Sequence, residues 1–348
     1  MNIWFNHNFS STTQLIQSLK AEGGYRVTAS HKRADAVMLT AADRALLEPD
    51  MTPESREEEV ERYLGWALGV CQEHQIEVLI PERYKLELAQ HQARFEEVGT
   101  RLLVAAEPDV LALVENKAAL YAALPPDLVP IPLHRVVQTA AELDAALQEL
   151  EYSRSDHKLC VKPVEGIFAS GFRVLDEVHL SHLLRNALIV SPAHLRDLML
   201  EAEEPAALLV MRYLAGDERS VDCLAHEGEL VRCVVRRKGD SAQVLEDNPE
   251  LVQMAAGLTR ALNLTGVYNI QFKDDEQGVP YLLEINSRAS GGLPMAMLSG
   301  LNFYHWALQL FMGRCAPDEV PQPRTGLRVA MGSTALALGE FEREVVYE

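Results

Sequence analysis

Oxygen-bearing side chains recur on two strand-like segments in the second half of the sequence. Alternation places Asn269 and Gln271 on one face of segment 266–272, and Glu284 and Asn286 on one face of segment 281–288. If the segments pair as a hairpin, Gln271, Glu284 and Asn286 converge as three oxygen ligands. Such ligands suit Mg²⁺, a hard cation that proteins usually hold by few groups together with substrate phosphates. The alternative is a solvated strand face that binds no metal.

Two basic residues stand next to glycine-containing stretches, where backbone can approach a ligand closely. Lys162 ends an apolar strand just before Pro163 and the loop 165–172. A lysine at the mouth of such a loop can contact a phosphate that the loop amides cover. Arg288 is a cation directly before Ala289-Ser290-Gly291-Gly292. An ordinary surface lysine is the alternative interpretation of position 162.

Several common kinds of site are missing from the sequence. It has no G-x-x-x-x-G-K-[ST] phosphate loop and no G-x-G-x-x-G, G-x-S-x-G or H-E-x-x-H motif. Its five cysteines form no C-x-x-C pair, which argues against a disulfide framework and a cysteine zinc site. The cysteine pattern is typical of free thiols in a reducing cytoplasm.

The charge balance bears on the class of partner. The 348 residues include 32 Lys and Arg against 51 Asp and Glu, a formal net charge of −19. A field of that sign repels phosphate backbones and anionic lipid. No stretch reaches the roughly 18 apolar residues that a membrane span needs. We therefore expect a cytoplasmic protein with no nucleic-acid and no membrane partner, although a local cleft can still gather cations around a small anion.

The first hundred residues alternate short apolar runs with helical patterns. The patterns predict strands at 2–5, 36–39, 77–80 and 102–105, and helices at 12–20 and 57–74. Such alternation is typical of βαβ units around a parallel sheet. We predict a small doubly wound α/β domain over residues 1–108.

The rest of the chain combines helices with paired strands. A helix is predicted over 109–124, and a capping box at Thr139–Glu142 precedes another. Strands are predicted at 158–163, 208–214, 220–225, 230–236, 267–273 and 280–286. We predict one domain over 109–206, with the glycine-containing loop, and one over 207–348, with the metal site and a C-terminal extension. The fold class is α/β followed by α+β.

The order of these segments resembles the ATP-grasp superfamily, most closely its carbamoyl-phosphate-synthase-like and carboxylate–amine ligase branch. The resemblance rests on Lys162 with its loop, on Y-L-A-G-D-E-R-S-V-D at 213–222, on N-I-Q-F at 269–272 and on E-I-N-S-R at 284–288. It covers essentially the whole chain, and its motifs are distinctive only in combination. It implies an ATP-grasp fold preceded by the N-terminal domain that precedes this fold in relatives.

The resemblance also implies roles for individual residues. Lys162 and Arg288 would be catalytic, Arg288 by stabilising the transferred phosphoryl group or the acyl-phosphate. Mg²⁺, or alternatively Mn²⁺, would be held by Gln271, Glu284 and Asn286. The residues implied to bind ATP, through its phosphates, adenine or ribose, are Lys117, Lys162, Met211, Tyr213, Leu214, Glu218 and Arg237.

The chain departs from the family pattern at four places. Position 116 is Asn where relatives usually have Asp, and Met211-Arg212 stands where relatives usually have a glutamate before the aromatic residue. The first metal position is Gln271 instead of an acid, and the loop 166–171 has only two glycines. Nucleotide binding survives these departures more easily than high turnover does.

The activity implied is ATP-dependent ligation of a carboxylate to an amine through an acyl-phosphate. Loop 166–171 would be the lid that keeps water from this intermediate. The partners would be small-molecule or peptide carboxylates and amines, and a homodimer would fit the family. One alternative is a bicarbonate-dependent, carboxyphosphate-forming enzyme, although carbamoyl phosphate synthesis in the family uses two grasp units and this chain has one. The other is an ATP-binding regulatory protein with weak catalysis.

Overall fold

The described chain divides into two compact units. The computed structural model describes residues 1–6, 8–50, 55–152, 158–166, 171–179, 181–182, 188–204 and 206–332. The first unit comprises Met1–Ala112, Ser220–Ile270 and the described residues from Asn286 onward, and the second comprises Leu113–Arg219 and Gln271–Ile285. Residues 167–170 of the predicted lid and 333–348 of the predicted C-terminal extension lie outside the described residues.

A parallel sheet forms the N-terminal part of the first unit. Its strands are β1 (Asn2–Asn6), β2 (Arg26–His31), β3 (Arg44–Leu47), β4 (Val78–Ile80) and β5 (Arg101–Leu102). They lie in the order β3-β2-β1-β4-β5, and all neighbours are parallel. The helices of this part are α1 (Thr12–Ala21), α2 (Arg56–Glu73), α3 (Lys85–Gln90) and α4 (Gln92–Glu97).

The central strand β1 is buried on both faces. Ile3 and Phe5 pack in one apolar cluster, whereas Trp4 packs in a different cluster with Tyr63 and Leu64 of α2. Because successive side chains of a strand point to opposite faces, a strand whose side chains are all apolar requires packing partners on both sides of its sheet. The predicted doubly wound domain is confirmed by this arrangement.

The strand predicted at 36–39 is wrong. Residues Val37–Ala41 form a 3-10 helix, and the edge strand β3 follows it instead. Met38, Leu39 and Ala41 are all buried in one cluster, so their side chains do not alternate as those of a strand would. The side chains of β3 are partly exposed, which is why this edge strand gives a weak apolar signal in the sequence.

A mixed sheet forms the core of the second unit. Its strands are β6 (His134–Val137), β7 (Leu159–Pro163), β8 (Arg173–Leu175), β9 (Ile189–Val190) and β10 (Leu208–Arg212), in the order β6-β10-β7-β8-β9. Only the pair β8–β9 is parallel among the described strands of this sheet. The helices in this part of the chain are α5 (Pro108–Glu115), α6 (Lys117–Ala123), α7 (Ala140–Glu149) and α8 (Pro192–Glu201).

The single helix predicted over 109–124 is two helices, α5 and α6, separated at Asn116. Asn116 has an extended backbone, with φ −102° and ψ 104°, and its side-chain oxygen accepts a hydrogen bond from the backbone N–H of Ala119. Asparagine favours this position because its side chain replaces a backbone acceptor at a helix start. As a result, Lys117 becomes the first residue of α6. The predicted capping box of Thr139 and Glu142 is present at the start of α7.

The third sheet contains the strands that follow Arg212 in the chain. They are β11 (Glu218–His226), β12 (Glu229–Arg237), β13 (Gln243–Glu246), β14 (Gly266–Asp274), β15 (Pro280–Asn286) and β16 (Arg328–Val329), in the order β15-β14-β11-β12-β13-β16. The predicted neighbours β14 and β15 are adjacent, as a hairpin requires. The helices here are α9 (Pro249–Ala261), α10 (Leu293–Met297) and α11 (Phe303–Phe311), and Pro317–Glu319 forms a 3-10 helix.

No helix in the described part of the chain is both long and apolar enough to cross a membrane.

Replacing Asn116 by alanine is expected to destabilise the protein by about 1 kcal/mol, because the first turn of α6 loses its side-chain acceptor. Urea denaturation measures the free energy of unfolding, and Asn116→Ser, which keeps an acceptor oxygen, is the matched control. Equal stability of the alanine and serine variants would contradict this assignment of the cap.

Candidate functional site

A cavity of about 220 Å³ lies in the second unit. Its wall is built from the start of α6, the paired strands β7 and β10, the start of β11, and the parts of β14 and β15 that belong to this unit. The site residues predicted from the sequence that line this cavity are Lys117, Lys162, Met211, Tyr213, Leu214, Glu218, Gln271 and Glu284.

Lys117 is held at the mouth of the glycine-containing loop. Its backbone N–H donates to Val164 O at 2.9 Å, and its Nζ donates to Gly166 O at 2.9 Å. Only 6% of the residue is exposed. The helix break at Asn116 therefore places a buried ammonium group beside the loop backbone.

Lys162 provides a second ammonium group on the cavity wall. Residue 162 pairs with Leu209 across β7 and β10, and its Nζ donates to Leu283 O at 3.3 Å. The same Nζ lies 5.9 Å from the centre of the Tyr121 ring. Burial lowers the pKa of Lys162 to about 8, with the Glu284 carboxylate opposing the shift and the Lys117 charge adding to it. This lysine is therefore close to losing its proton near neutral pH.

Glu284 is the carboxylate that faces both lysines. Its Oε2 lies 3.6 Å from the Nζ of Lys117. The strand that carries it is fixed to α6 by the hydroxyl of Tyr121, which donates to Leu282 O at 3.1 Å and to Leu283 O at 2.7 Å. Burial raises the pKa of the Tyr121 hydroxyl, and the Glu284 charge raises it further. The tyrosine therefore stays protonated and remains a donor.

Part of the cavity wall is apolar. Met211, Leu214 and Cys160 are each at most 6% exposed and contribute to the wall. Burial raises the pKa of the Cys160 thiol to about 12, so this cysteine is protonated and acts as a small apolar side chain. A flat heterocycle would find van der Waals contacts here without losing hydrogen bonds to water.

Backbone groups at the end of β10 differ in their hydrogen bonds. The N–H of Arg212 donates to Leu133 O at 3.1 Å, and the N–H of Tyr213 donates to Lys158 O at 2.9 Å. Among the described residues, no such backbone partner is found for the N–H of Leu214. Leu214 itself lines the cavity.

Glu218 is positioned by a tight turn just before β11. Gly216 N–H donates to Asp274 O at 3.0 Å, and a Cβ at Gly216 would lie 2.6 Å from Asp275 O, so no larger residue fits there. Arg219, the residue after Glu218 in β11, forms an ion pair with Asp274 at the end of β14. These contacts hold the Glu218 carboxylate at the cavity wall.

The residues that line the cavity without having been predicted as site residues include Cys160, Phe172, Arg212 and Lys273. Lys273 follows Gln271 by two positions on β14, so the alternation that selected Gln271 also indicates Lys273. Its Nζ donates to Gly216 O at 3.2 Å. Cys160 likewise precedes Lys162 by two positions on β7. Phe172 and Arg212 carry no comparable signal.

Three predicted site residues, Arg237, Asn286 and Arg288, belong to the first unit. Arg237 forms an ion pair with Glu246, and the Nε of Arg288 lies 3.2 Å from the Oε1 of Glu82. Within the described residues, no three His, Cys, Asp or Glu side chains are grouped to hold a metal ion. The predicted metal ligands contain one acid only, so their assignment stays a prediction.

Part of the sequence matches a family model, and the fold is similar to those of several solved structures. Residues 204–335 match the family model described as ATP-grasp in the biosynthetic pathway with Ter operon. The fold is similar to an N5-carboxyaminoimidazole ribonucleotide synthetase in complex with ADP, at a TM-score of 0.64 and 14% identity over 94% of this chain and 79% of that one.

Two further solved structures are similar in fold. One is an L-amino acid ligase from Bacillus licheniformis, at a TM-score of 0.61 and 16% identity over 92% of this chain and 77% of that one. The other is a biotin carboxylase from Campylobacter jejuni, at a TM-score of 0.65 and 13% identity over 92% of this chain and 73% of that one. These similarities show the fold of the chain, and the match to the ATP-grasp family model is limited to residues 204–335.

Proposed function

We propose that the cavity of the second unit binds ATP. The observation that carries this proposal is the pair of ammonium groups of Lys117 and Lys162, held on the wall of a cavity that is also lined by apolar side chains. Phosphates carry the charge that such a pair attracts, and the surrounding protein strengthens the attraction because it excludes water. The N–H of Leu214, which has no backbone partner among the described residues, suits a ring nitrogen of adenine. The Glu218 carboxylate can accept hydrogen bonds from the ribose hydroxyls.

The departure at position 116 is compatible with this proposal. Asparagine caps α6 through its oxygen, as an aspartate would, so the placement of Lys117 does not need a charged residue there. The side-chain amide of Asn116 also donates to Glu165 Oε1 at 3.1 Å, which an aspartate could not do. The exchange thus alters the local charge but keeps the helix start.

Glu284 and Gln271 fit a divalent cation, because both offer oxygen donors at the cavity wall next to the proposed phosphate site. We infer that they hold Mg²⁺, with Mn²⁺ as an alternative ion, and the role of Asn286 as a ligand stays a prediction from the resemblance. When bound, the cation would neutralise charge on the phosphates. Glu284 also has a role of its own, since its carboxylate pairs with Lys117 and orients the lysine before nucleotide arrives.

The reaction we infer is ATP-dependent ligation of a carboxylate to an amine. A carboxylate oxygen attacks the terminal phosphorus of ATP, the bond to the bridging oxygen breaks, and ADP leaves. The amine then attacks the acyl carbon, phosphate leaves with the electron pair of the C–O bond, and the amine loses one proton. Lys162 would offset the charge on the transferred phosphoryl group. The role of Arg288 at the acyl-phosphate stays a prediction from the resemblance. Similarity to an amino acid ligase supports this activity.

A bicarbonate-dependent reaction is the second candidate. The biotin carboxylase domain of a Hydrogenobacter thermophilus 2-oxoglutarate carboxylase, solved with MgADP and bicarbonate, has a TM-score of 0.64 to this chain at 17% identity. An ATP-binding regulatory protein with weak catalysis is the other alternative. A cytoplasmic location and assembly as a homodimer remain predictions from the sequence.

Purified protein with Mg²⁺ and ATP is expected to release ADP when a suitable carboxylate and amine are both present. A coupled assay for ADP and phosphate, run over panels of both substrates and over bicarbonate alone, measures this. Glu284→Gln should lower the rate at least tenfold, and Glu276→Gln on the exposed turn is the matched control. ADP release that depends on bicarbonate alone would favour the second candidate, and ATP binding without turnover for any pair would favour a regulatory protein.

Lys162→Met is expected to weaken ATP binding at least tenfold while leaving the nucleotide-free protein at least as stable at pH 7. The lowered pKa of Lys162 means that its charged form is disfavoured in the folded state, so removing the charge removes an unfavourable contribution. This contribution fades as pH rises from about 8 to 10.5, where the folded state has lost the proton and the unfolded state still holds it. Calorimetric titration and urea denaturation measure both effects, with exposed Lys158→Met as the control. A variant that binds ATP normally would refute the placement of the phosphates.

ATP binding at pH 8.5 is expected to take up protons. In the free protein a large part of Lys162 is neutral at this pH, and an adjacent phosphate raises the pKa of Lys162 so that the amine is charged in the complex. Titration calorimetry in buffers of different ionisation enthalpy measures the uptake. It should disappear in Lys162→Met, and an uptake that persists unchanged in that variant would assign it to another group.

A further inference from the structure

The turn between β10 and β11 is bonded to the end of β14. It comprises residues 213–217, and Glu218, the proposed ribose ligand, follows it as the first residue of β11. The N–H of Gly216 donates to Asp274 O at 3.0 Å, and the N–H of Asp274 donates to Asp217 O at 2.9 Å. The turn and the strand end therefore exchange backbone hydrogen bonds in both directions, and all of these residues belong to the second unit.

A lysine side chain adds a third contact between the same two segments. The Nζ of Lys273 donates to Gly216 O at 3.2 Å. Both backbone groups of Gly216 are thus bonded, the N–H to Asp274 and the carbonyl to Lys273. A Cβ at residue 216 would lie 2.6 Å from Asp275 O, so the turn passes too close to the neighbouring backbone for a larger residue. The ammonium group of Lys273 therefore holds a turn that already lies close against the strand end.

The residue after Glu218 is bonded to the same strand end. Arg219 forms an ion pair with Asp274, whose side chain is only 10% exposed, and the Nη2 of Arg219 lies 3.6 Å from the Oδ2 of Asp217. In the chain, Glu218 stands between Gly216 and Arg219, and both of these neighbours are bonded to the end of β14. The position of the Glu218 carboxylate consequently depends on these contacts.

Lys273 also lines the cavity proposed to bind ATP. Burial raises the pKa of the Cys160 thiol to about 12, and the charges of Lys162 and Lys273 oppose this shift, so both ammonium groups lie within electrostatic range of the thiol. Lys162 is bonded to Leu283 O on β15, whereas Lys273 is bonded to the turn before β11. The two lysines are therefore anchored to different parts of the cavity wall, and Lys273 to the part that precedes the proposed ribose ligand.

We propose that Lys273 is the positioning residue for ribose recognition. Through Gly216 it holds the turn in the conformation that presents the Glu218 carboxylate to the ribose hydroxyls. The cavity then prefers a ribonucleoside triphosphate to an analogue without these hydroxyls. A charged donor forms a stronger hydrogen bond than a neutral one, which suits Lys273 for fixing a backbone turn. Such preorganisation lowers the entropy lost on binding. The inference rests on the proposed ATP site.

The test compares three ligands of the full chain by titration calorimetry. They are ATP, 2′,3′-dideoxy-ATP, which lacks both ribose hydroxyls, and tripolyphosphate, which lacks ribose and base. The parent protein should bind ATP about tenfold more tightly than dideoxy-ATP, because Glu218 loses charged hydrogen bonds with the analogue. In Lys273→Met we expect this ratio to fall to about twofold or less, with the affinity for tripolyphosphate unchanged.

Three outcomes would overturn the proposal. One is a ratio that stays near its parent value in Lys273→Met, and another is a parent protein that binds ATP and dideoxy-ATP equally well. The third is a loss of tripolyphosphate affinity in Lys273→Met as large as the loss of ATP affinity, since Lys273 would then act on the phosphates or on the fold as a whole.

Further variants identify the route through Glu218. Glu218→Gln alone should reduce the preference for ATP, and adding Lys273→Met should reduce it little further, as expected for residues that act as a unit. Additive losses would contradict that route. Lys273→Arg keeps a charged donor and should retain most of the preference, and Lys158→Met, at an exposed lysine, is the matched control that should change nothing.

Urea denaturation reports whether each variant is folded. If Lys273→Met is not, Lys273→Gln, which keeps a neutral donor, provides the same comparison. A parent protein that binds neither ATP nor tripolyphosphate refutes the proposed ATP site and the role of Lys273 with it. A parent protein that binds ATP with a preference that survives in the Lys273 variants refutes only the role of Lys273.

Discussion

Removal of two ammonium groups from water is the constraint on which the second unit depends. Lys117 and Lys162 each donate to a backbone carbonyl, and Glu284 is the carboxylate that approaches them. These contacts only partly replace hydration, as the lowered pKa of Lys162 indicates. The positive charge of the nucleotide-free protein is therefore only partly compensated at this site, and a bound anion would stabilise it.

The local structure around this pair follows from that constraint. A continuous helix through residue 116 would leave Lys117 inside the helix. The asparagine cap interrupts the helix, so Lys117 lies at a helix start. The antiparallel pairing of β7 with β10 places Lys162 on the cavity wall, and the Tyr121 hydroxyl holds β15 through two carbonyls. The side chains that pack around the lysines are thus as important for their placement as the residues that would contact a ligand.

In the first unit, charged groups are held by another means. Here the backbone itself is strained at Tyr84, whose φ is +53°, and the side chain of Asn6 clamps the turn that follows β4. The guanidinium of Arg288 is fixed by the ring of Phe9 and the carbonyl of Ala289. Both units therefore hold charged groups in fixed positions, and in the second unit this reduces the entropy lost when a ligand binds.

Much of this organisation is readable in the sequence, and the exceptions have physical causes. Period-two alternation located Gln271 and Glu284 on the cavity wall, and the apolar runs of β1 and β4 predicted the parallel sheet. The strand expected at 36–39 failed because a short apolar run does not distinguish a strand from a 3-10 helix whose side chains share one cluster. The ion pair of Glu82 with Arg288 was not foreseen, since it joins segments about 200 residues apart.

A crystal structure of the chain with Mg²⁺ and a non-hydrolysable ATP analogue would test the central claim most directly. We expect the phosphates to lie within hydrogen-bond distance of the Nζ atoms of Lys117 and Lys162. We expect the adenine to pack against Met211, with a ring nitrogen that accepts a hydrogen bond from the N–H of Leu214. An analogue bound elsewhere, or one whose phosphates lie beyond the reach of both lysines, would contradict it.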